Sequence, residues 1–249
     1  MDYWRKRQLQ LLELEYQDAL KELRKIYKVA TDRIAERLLK TYNEICEEGT
    51  PLVSKLYQYN RYYRLLKELQ NILRDLGVQE EKILTQHMED LYRHNFESLG
   101  EKLPPAPPVQ KEVIDRLIHE DWIGDGDNFS DRVWKNKALM AKKAKDFIML
   151  AIAEGKNPSA FIEELEPYLQ KQGLWRAKRL LVTEMAHTQY VSTINRYETA
   201  GVNRVEILTA DDNKVCAKCV EASSKSYDID KCPTLPLHPF CRCTIIPII

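Results

Sequence analysis

Apolar side chains recur along the first part of the chain at Leu9, Leu12, Tyr16, Ala19, Leu23, Ile26 and Ala30, in alternating steps of three and four. Such a stripe is the seam of a coiled coil about three heptads long. It continues at Ile34, Leu38, Tyr42 and Ile45, where steps of four dominate and the stripe drifts around the helix. The pattern predicts one helix over about 3–47, stopped by Gly49-Thr50-Pro51. Two further helices are expected over about 52–76 and 79–97, the first carrying Tyr57, Tyr59, Tyr62 and Tyr63 as core or partner surface. After that, Pro104-Pro-Ala-Pro-Pro108 removes backbone donors and fixes φ, so it reads as a stiff extended linker.

Beyond the linker the spacing predicts a helix over about 130–154 with Ser130 as its N-cap, another opened by Pro158, and one over about 174–200 stopped by Gly201. The period then shortens. Val205, Ile207 and Thr209 alternate with Arg204, Glu206 and Leu208 as in a half-buried strand, Asp211 to Lys214 make a turn, and short strands are expected near 226–229 and 242–248. The expected fold is mainly α with a small α+β C-terminal part: long N-terminal helices, then a helical region ending in a short antiparallel, cysteine-rich β module. The expected organisation is a coiled-coil-like helical region at 1–103, the linker at 104–108, and a second domain at 109–249 whose Cys/His-rich end spans about 203–249.

Composition narrows the function classes. Lys plus Arg and Asp plus Glu are 38 each, so the net charge is zero, which argues against a whole-molecule basic binder of nucleic acid. No apolar run approaches the length of a spanning helix, and the first residues lack the apolar core of a secretion signal, so the chain is expected to stay in the cytosol, off the membrane. The first forty residues carry a small basic excess. It is explained by a solvated helix face, with DNA contact through Arg5, Lys6 and Arg7 as the competing reading.

Candidate chemistry sits in the cysteines. Cys46 stands alone, whereas Cys216, Cys219, Cys232, Cys241 and Cys243 crowd the C-terminal end. Cys216-Ala-Lys-Cys219 places two thiolates about one tetrahedral edge apart, and His238-Pro-Phe-Cys241 offers two more donors at the same offset. With Cys243 there are five candidate ligands for four places, and either Cys241 or Cys243 completes the set. The pattern points to a closed, structural zinc site; buried metal-free thiols are the plainer alternative. Cys232 lies outside both turns and reads as packing. Redox chemistry at Cys216 and Cys219 lacks a βαβ context.

Enzymatic signals are missing. His119-Glu-Asp-Trp122 lacks the second histidine of a zinc protease motif, and no His-x-Glu precedes a Pro-Cys-x-x-Cys as a deaminase requires. A calcium loop starting at Asp125 needs glutamate at its twelfth position and finds Asn136. Glu184 and His187 share a helix face as ligands in helix-bundle metal sites do, but no second such pair exists, so an ordinary pair is expected.

The order Trp122, Phe129-Ser-Asp-Arg-Val-Trp134, Arg179-Leu-Leu-Val-Thr-Glu184, Tyr197, Gly201, Asp212, Cys216-Ala-Lys-Cys219 and Pro236-Leu-His-Pro-Phe-Cys241-Arg-Cys243 resembles the phage Mu F-like (SPP1 gp7-like) minor head protein family. The resemblance covers about residues 120–249, so that 109–249 would be the Mu F-like domain, and Tyr3-Trp4 opening a long charged helix is similar to the front of such proteins. Two departures are Val182, where the family usually has arginine, and the segment Val220 to Leu237, which lacks the usual glycine turn and carries Cys232. The resemblance implies a non-enzymatic, low-copy virion component, made in the host cytoplasm and placed in the head at the portal vertex. It would act in head morphogenesis and in packaging or ejection of DNA. It implies the portal protein and other head proteins as partners, DNA for some relatives, no small-molecule substrate, and a structural pair between Glu184 and Arg242 beside the metal turns. The competing function is a zinc-containing DNA-binding or nucleic-acid-processing protein.

Overall fold

The computed structural model describes residues 2–47, 50–51, 53–57, 60–154, 158–209 and 215–248, with side chains described for 12, 15–45, 54–57, 60–151, 153–154, 162–209 and 215–248. The fold is mainly helical, with a small antiparallel sheet and a cysteine cluster near the C-terminus. The elements are α1 (Asp2–Ile45), the two-residue strands β1 (Cys46–Glu47) and β2 (Thr50–Pro51), α2 (Val53–Tyr57), α3 (Arg61–Ser98), α4 (Lys111–Ile118), α5 (Phe129–Ala153), α6 (Pro158–Pro167), α7 (Leu174–Thr199), β3 (Arg204–Leu208), α8 (Ala217–Ser223), β4 (Ser226–Asp228) and β5 (Thr244–Pro247). The turn expected at 211–214 lies outside the described residues, as do the side chains of Arg5, Lys6, Arg7 and Cys46.

The chain divides into two compact units, each assembled from separate stretches. A helical unit comprises Lys21–Lys82 and Ser130–Lys178, and a mixed unit comprises Met1–Leu20, Ile83–Phe129 and Arg179–Ile249. The proline segment forms neither helix nor strand over 104–110, as its missing backbone donors dictate, and lies within the mixed unit.

In the helical unit α1 and α3 run antiparallel. The ion pairs Arg33–Asp75, Arg37–Glu68 and Arg61–Glu44 climb one helix as they descend the other. The buried seam of α1 differs from the expected heptads. Tyr27 is 1% exposed where Ile26 was expected to point inward, and the stripe runs Leu23, Tyr27, Ala30, Ile34, Leu38 in near-steps of four. The cause is polar. The Tyr27 phenol donates to Glu80 Oε2 at 2.8 Å and accepts from Lys137 Nζ at 2.5 Å, so a buried hydrogen-bonded triad, rather than an aliphatic, sets the register.

The break expected between 76 and 79 is absent: α3 passes through Gly77 without interruption. The chain turns earlier, around Asn60 at φ +56°, a left-handed conformation that asparagine tolerates. Gly77 serves packing instead. A Cβ there would lie 2.7 Å from Trp134 Cζ3, so only glycine lets the Trp134 ring of α5 lie against this helix. Ser130 is not the N-cap of α5, which already begins at Phe129; its hydroxyl donates to Glu81. Between α6 and α7 the helix widens into a π turn, Tyr168–Gly173.

In the mixed unit α7 ends where glycine was expected to end it. Gly201 takes φ +75°, its N–H bonds Glu198 O and the Val202 N–H bonds Tyr197 O, both at 3.0 Å, which is the Schellman closure. The three late strands form one sheet of order β4-β3-β5, all antiparallel, with Val205 opposite Tyr227 on one side and opposite Pro247 on the other. Val205 and Ile207 alternate inward with the period read from the sequence, and join Leu99, Tyr197, Leu235 and Ile245 in one apolar cluster. The cysteine turns are attached to that cluster.

Candidate metal centre

Cys216 precedes α8 in extended conformation and Cys219 lies within its first turn, which is closed by the Val220 N–H on the Cys216 carbonyl at 3.0 Å. A second, tighter turn is closed by the Cys241 N–H on the His238 carbonyl at 3.0 Å, with Phe240 at φ +63° bending the chain. The two turns face each other across Cys219. Its sulfur lies 3.6 Å from Cys216 Sγ, 3.2 Å from His238 Nε2 and 3.6 Å from Cys241 Sγ. The five residues expected from sequence thus form two overlapping triplets, Cys216–Cys219–His238 and Cys219–Cys241–Cys243, the donor atoms of each lying within 4.8 Å of one another. Cys219, Cys241 and Cys243 are buried, while Cys216 and His238 are half-buried. Cys232 joins neither triplet: its thiol faces the Pro233 carbonyl at 3.8 Å, and burial pushes it up to about 11.

Electrostatics show what so dense a cluster requires. A hydrogen bond from Cys243 brings the Cys241 thiol down to about 5, and the same bond, with burial, drives Cys243 upward. Burial pushes Cys219 up to about 12, while the backbone N–H of Cys219 lowers Cys216. Without a cation the buried cluster therefore supports only part of its possible anionic charge. A bound metal ion removes that restriction, because it stabilises every thiolate that it binds. His238 is prepared for the same role. Its Nδ1 lies 2.9 Å from the Pro239 carbonyl, which can only accept, so the proton sits on Nδ1 and the Nε2 lone pair faces Cys219. The cluster could hold a metal ion through thiolates and one imidazole, and this donor set leaves no polar oxygen ligand for a hard cation.

Helix α7 holds the segment that carries these ligands. Thr183, His187 and Tyr190 lie on one face of it. The Phe240 N–H donates to Thr183 Oγ1 at 3.4 Å, His187 Nδ1 donates to the Leu235 carbonyl at 2.8 Å, and the Tyr190 hydroxyl donates to the Cys232 carbonyl at 3.5 Å. The ring of His187 stacks on Trp122, with centroids 4.2 Å apart and planes 13° from parallel, and the Trp122 indole donates to Glu184 Oε2 at 2.8 Å. Burial lowers His187 to about 4, so it stays a neutral donor.

Sequence reasoning read Glu184 and His187 as an ordinary pair and missed this clamp. The i, i+4, i+7 spacing of Thr183, His187 and Tyr190 was visible, but its carbonyl and amide partners lie about 40 to 60 residues away and carry no side-chain signal. The acidic loop resolves as self-capping. Asp121 accepts from the amides of Gly124 at 2.8 Å and Gly126 at 2.7 Å, and both glycines have positive φ. Among the described residues no helix is long and apolar enough to cross a membrane. No family model matches the chain, and neither a curated protein nor a solved structure matches it.

Proposed function

We propose that this chain is a minor head protein of a tailed phage or prophage, of the Mu F-like kind, which associates with the portal vertex inside the virion and acts in head assembly. One observation carries the reading. The motif elements that the resemblance joins only as a string, Trp122, Thr183-Glu184 and the His238–Cys243 segment, lie together in the mixed unit: Trp122 bonds Glu184, and the Phe240 amide bonds Thr183. A string of chance matches has no reason to converge in this way.

In this reading the metal is zinc and its role is structural. Three thiolates and an imidazole match its softness and tetrahedral preference, and a set filled by protein donors leaves no open position for substrate. Zinc supplies folding free energy, because the unfolded chain does not pre-form the site. The protein's own residues do the rest: α7 fixes the ligand-bearing segment, the strands bury its apolar side, and the long helices offer surface to the portal and other head proteins. Glu184 and Arg242 form the charged pair beside the metal turns. A double-mutant cycle with Glu184→Gln and Arg242→Gln is expected to show coupling, and its absence removes the pair from the reading.

The functional test is quantitative mass spectrometry of particles from the phage or prophage that encodes the chain, measured against the portal protein. A few copies per particle is the expected result. Absence from both heads and proheads overturns the proposal and moves the weight to a free DNA-binding role, for which a salt-dependent affinity sensitive to Arg5, Lys6 and Arg7 is the signature.

A further inference from the structure

Five ligand candidates surround a site with room for four, and the geometry points to a mononuclear centre of three sulfurs and one nitrogen, held by Cys216, Cys219, His238 and Cys241, with Cys243 outside it as a buried packing thiol. This inference rests on the metal reading above and sharpens it.

Backbone geometry separates Cys243 from the other four. Cys216 and Cys219 share one turn, closed by the Val220 N–H on the Cys216 carbonyl, and His238 and Cys241 share the other, closed by the Cys241 N–H on the His238 carbonyl, both at 3.0 Å. Cys243 belongs to neither turn. It stands at the threshold of β5, immediately before Thr244, where the chain is already committed to pairing with β3.

Distances place Cys219 at the centre of the cluster. A tetrahedral zinc with bonds of about 2.3 Å to sulfur and about 2.0 Å to nitrogen has edges of about 3.8 Å between sulfurs and about 3.5 Å between sulfur and nitrogen. Around Cys219 the observed separations are 3.6 Å to Cys216, 3.6 Å to Cys241 and 3.2 Å to His238 Nε2. All three are near full edges, so Cys219 is the common vertex. Cys216, Cys219 and His238 form one face, and Cys241, 3.6 Å from Cys219 in the second triplet with Cys243, is the donor the assignment moves onto the fourth vertex.

Two rival arrangements are weaker. A second metal on Cys219, Cys241 and Cys243 needs a fourth donor, and among the described residues no further His, Cys, Asp or Glu joins that triplet. An all-sulfur site using Cys243 instead of His238 leaves unexplained why the imidazole is oriented by the Pro239 carbonyl with its lone pair on Cys219. Cys243 is 6% exposed and, like Cys219 and Cys241, sits in the apolar cluster with Val205, Ile207 and Ile245; what sets it apart from them is its place outside both turns.

The test is X-ray absorption on the full chain loaded with zinc, with metal content measured in parallel. One zinc per chain is expected, with three sulfurs at about 2.3 Å and one nitrogen at about 2.0–2.1 Å. Cys243→Ala should keep one zinc, the same set of bonded atoms and an affinity within about tenfold, whereas Cys241→Ala should lose a sulfur or the metal. Four sulfurs in the unsubstituted chain, two zincs per chain, or a sulfur lost in Cys243→Ala overturns the assignment while leaving the metal reading standing. The unsubstituted spectrum decides between three sulfurs with one nitrogen and four sulfurs even if a variant does not fold. A chain that binds no zinc overturns the metal reading itself.

Discussion

Replacing Lys137 by methionine tests how the helical unit tolerates charge in its core. Lys137 is 3% exposed, Glu80 0% and Tyr27 1%. Lys137 Nζ lies 2.5 Å from both Glu80 Oε2 and the Tyr27 hydroxyl, and that hydroxyl lies 2.8 Å from the same carboxylate oxygen. The other oxygen, Glu80 Oε1, is buried with no hydrogen-bond partner, so a single oxygen gathers both donors. Lys137→Met preserves length and apolar contact but leaves a carboxylate with only a phenol. Removing one member of a buried pair typically costs about 3–5 kcal/mol. The penalty of Lys137→Met should therefore be about 3–4 kcal/mol. Glu80→Gln strands the ammonium instead, so it should be at least as costly. The double variant should recover a large part of the loss, because the desolvation of both charges disappears together. Urea unfolding followed by far-UV circular dichroism measures all of this. If both single variants cost less than about 1 kcal/mol, the triad is not a dry, mutually dependent group.

Further outcomes follow from the mixed unit and from Gly77. Dialysis against a chelator at neutral pH should melt the sheet and its cysteine turns while leaving the helical signal of α1 and α3; a thermal transition unchanged by chelation refutes the metal reading. His187 has a folded value of about 4 against an ordinary 6.5, so its contribution is complete above about pH 6.5 and is lost as pH falls toward 4, about 3 kcal/mol in all. His187→Gln should flatten that part of the stability profile, and an unaltered slope refutes the assignment. Trp122→Phe removes the indole donor to Glu184 and should cost about 1.5–3 kcal/mol by thermal or urea denaturation, whereas a loss below about 0.5 kcal/mol would show that the bond is not in place. Gly77→Ala should destabilise by about 1–3 kcal/mol despite the better helix propensity of alanine, because its Cβ meets Trp134 at 2.7 Å; a gain in stability would mean that the ring moves freely.

What could be read from the sequence follows the range of each signal. Periodicity and termination are local, and they were legible: α1 ends within two residues of its expected stop, α6 opens at Pro158, Gly201 closes α7, and β3, β4 and β5 lie within a residue or two of the predicted strands. Cysteine spacing is local too. The turn Cys216 to Cys219 and the turn His238 to Cys241 could each be read alone, although that they face each other could not. The failures share one cause. Gly77 looked like a helix break because glycine usually weakens helices; what retains it is the Trp134 ring, more than fifty residues away. Ile26 looked like the core residue because it is aliphatic, yet Tyr27 is buried because Glu80 and Lys137 wait for its hydroxyl on two other helices.

The clamp on the candidate metal segment shows the same limit in its sharpest form. Thr183, His187 and Tyr190 act on backbone amides and carbonyls, and every residue has those, so no residue type at the far end could announce the contact. The spacing of three polar side chains on one face of α7 was the only trace. In a helix whose buried residues also include Glu184, Thr188, Gln189, Ser192, Thr193 and Arg196, that trace has a physical meaning. Burying so many polar groups is unfavourable unless each finds a partner. Some of these find partners on helices, Thr188 and Thr193 on the carbonyls of Glu184 and Gln189 one turn back and Ser192 on the Tyr92 carbonyl of α3, whereas Thr183, His187 and Tyr190 are bonded to irregular chain. Here the irregular chain is the segment from Cys232 to Phe240, the stretch that a metal centre needs held still.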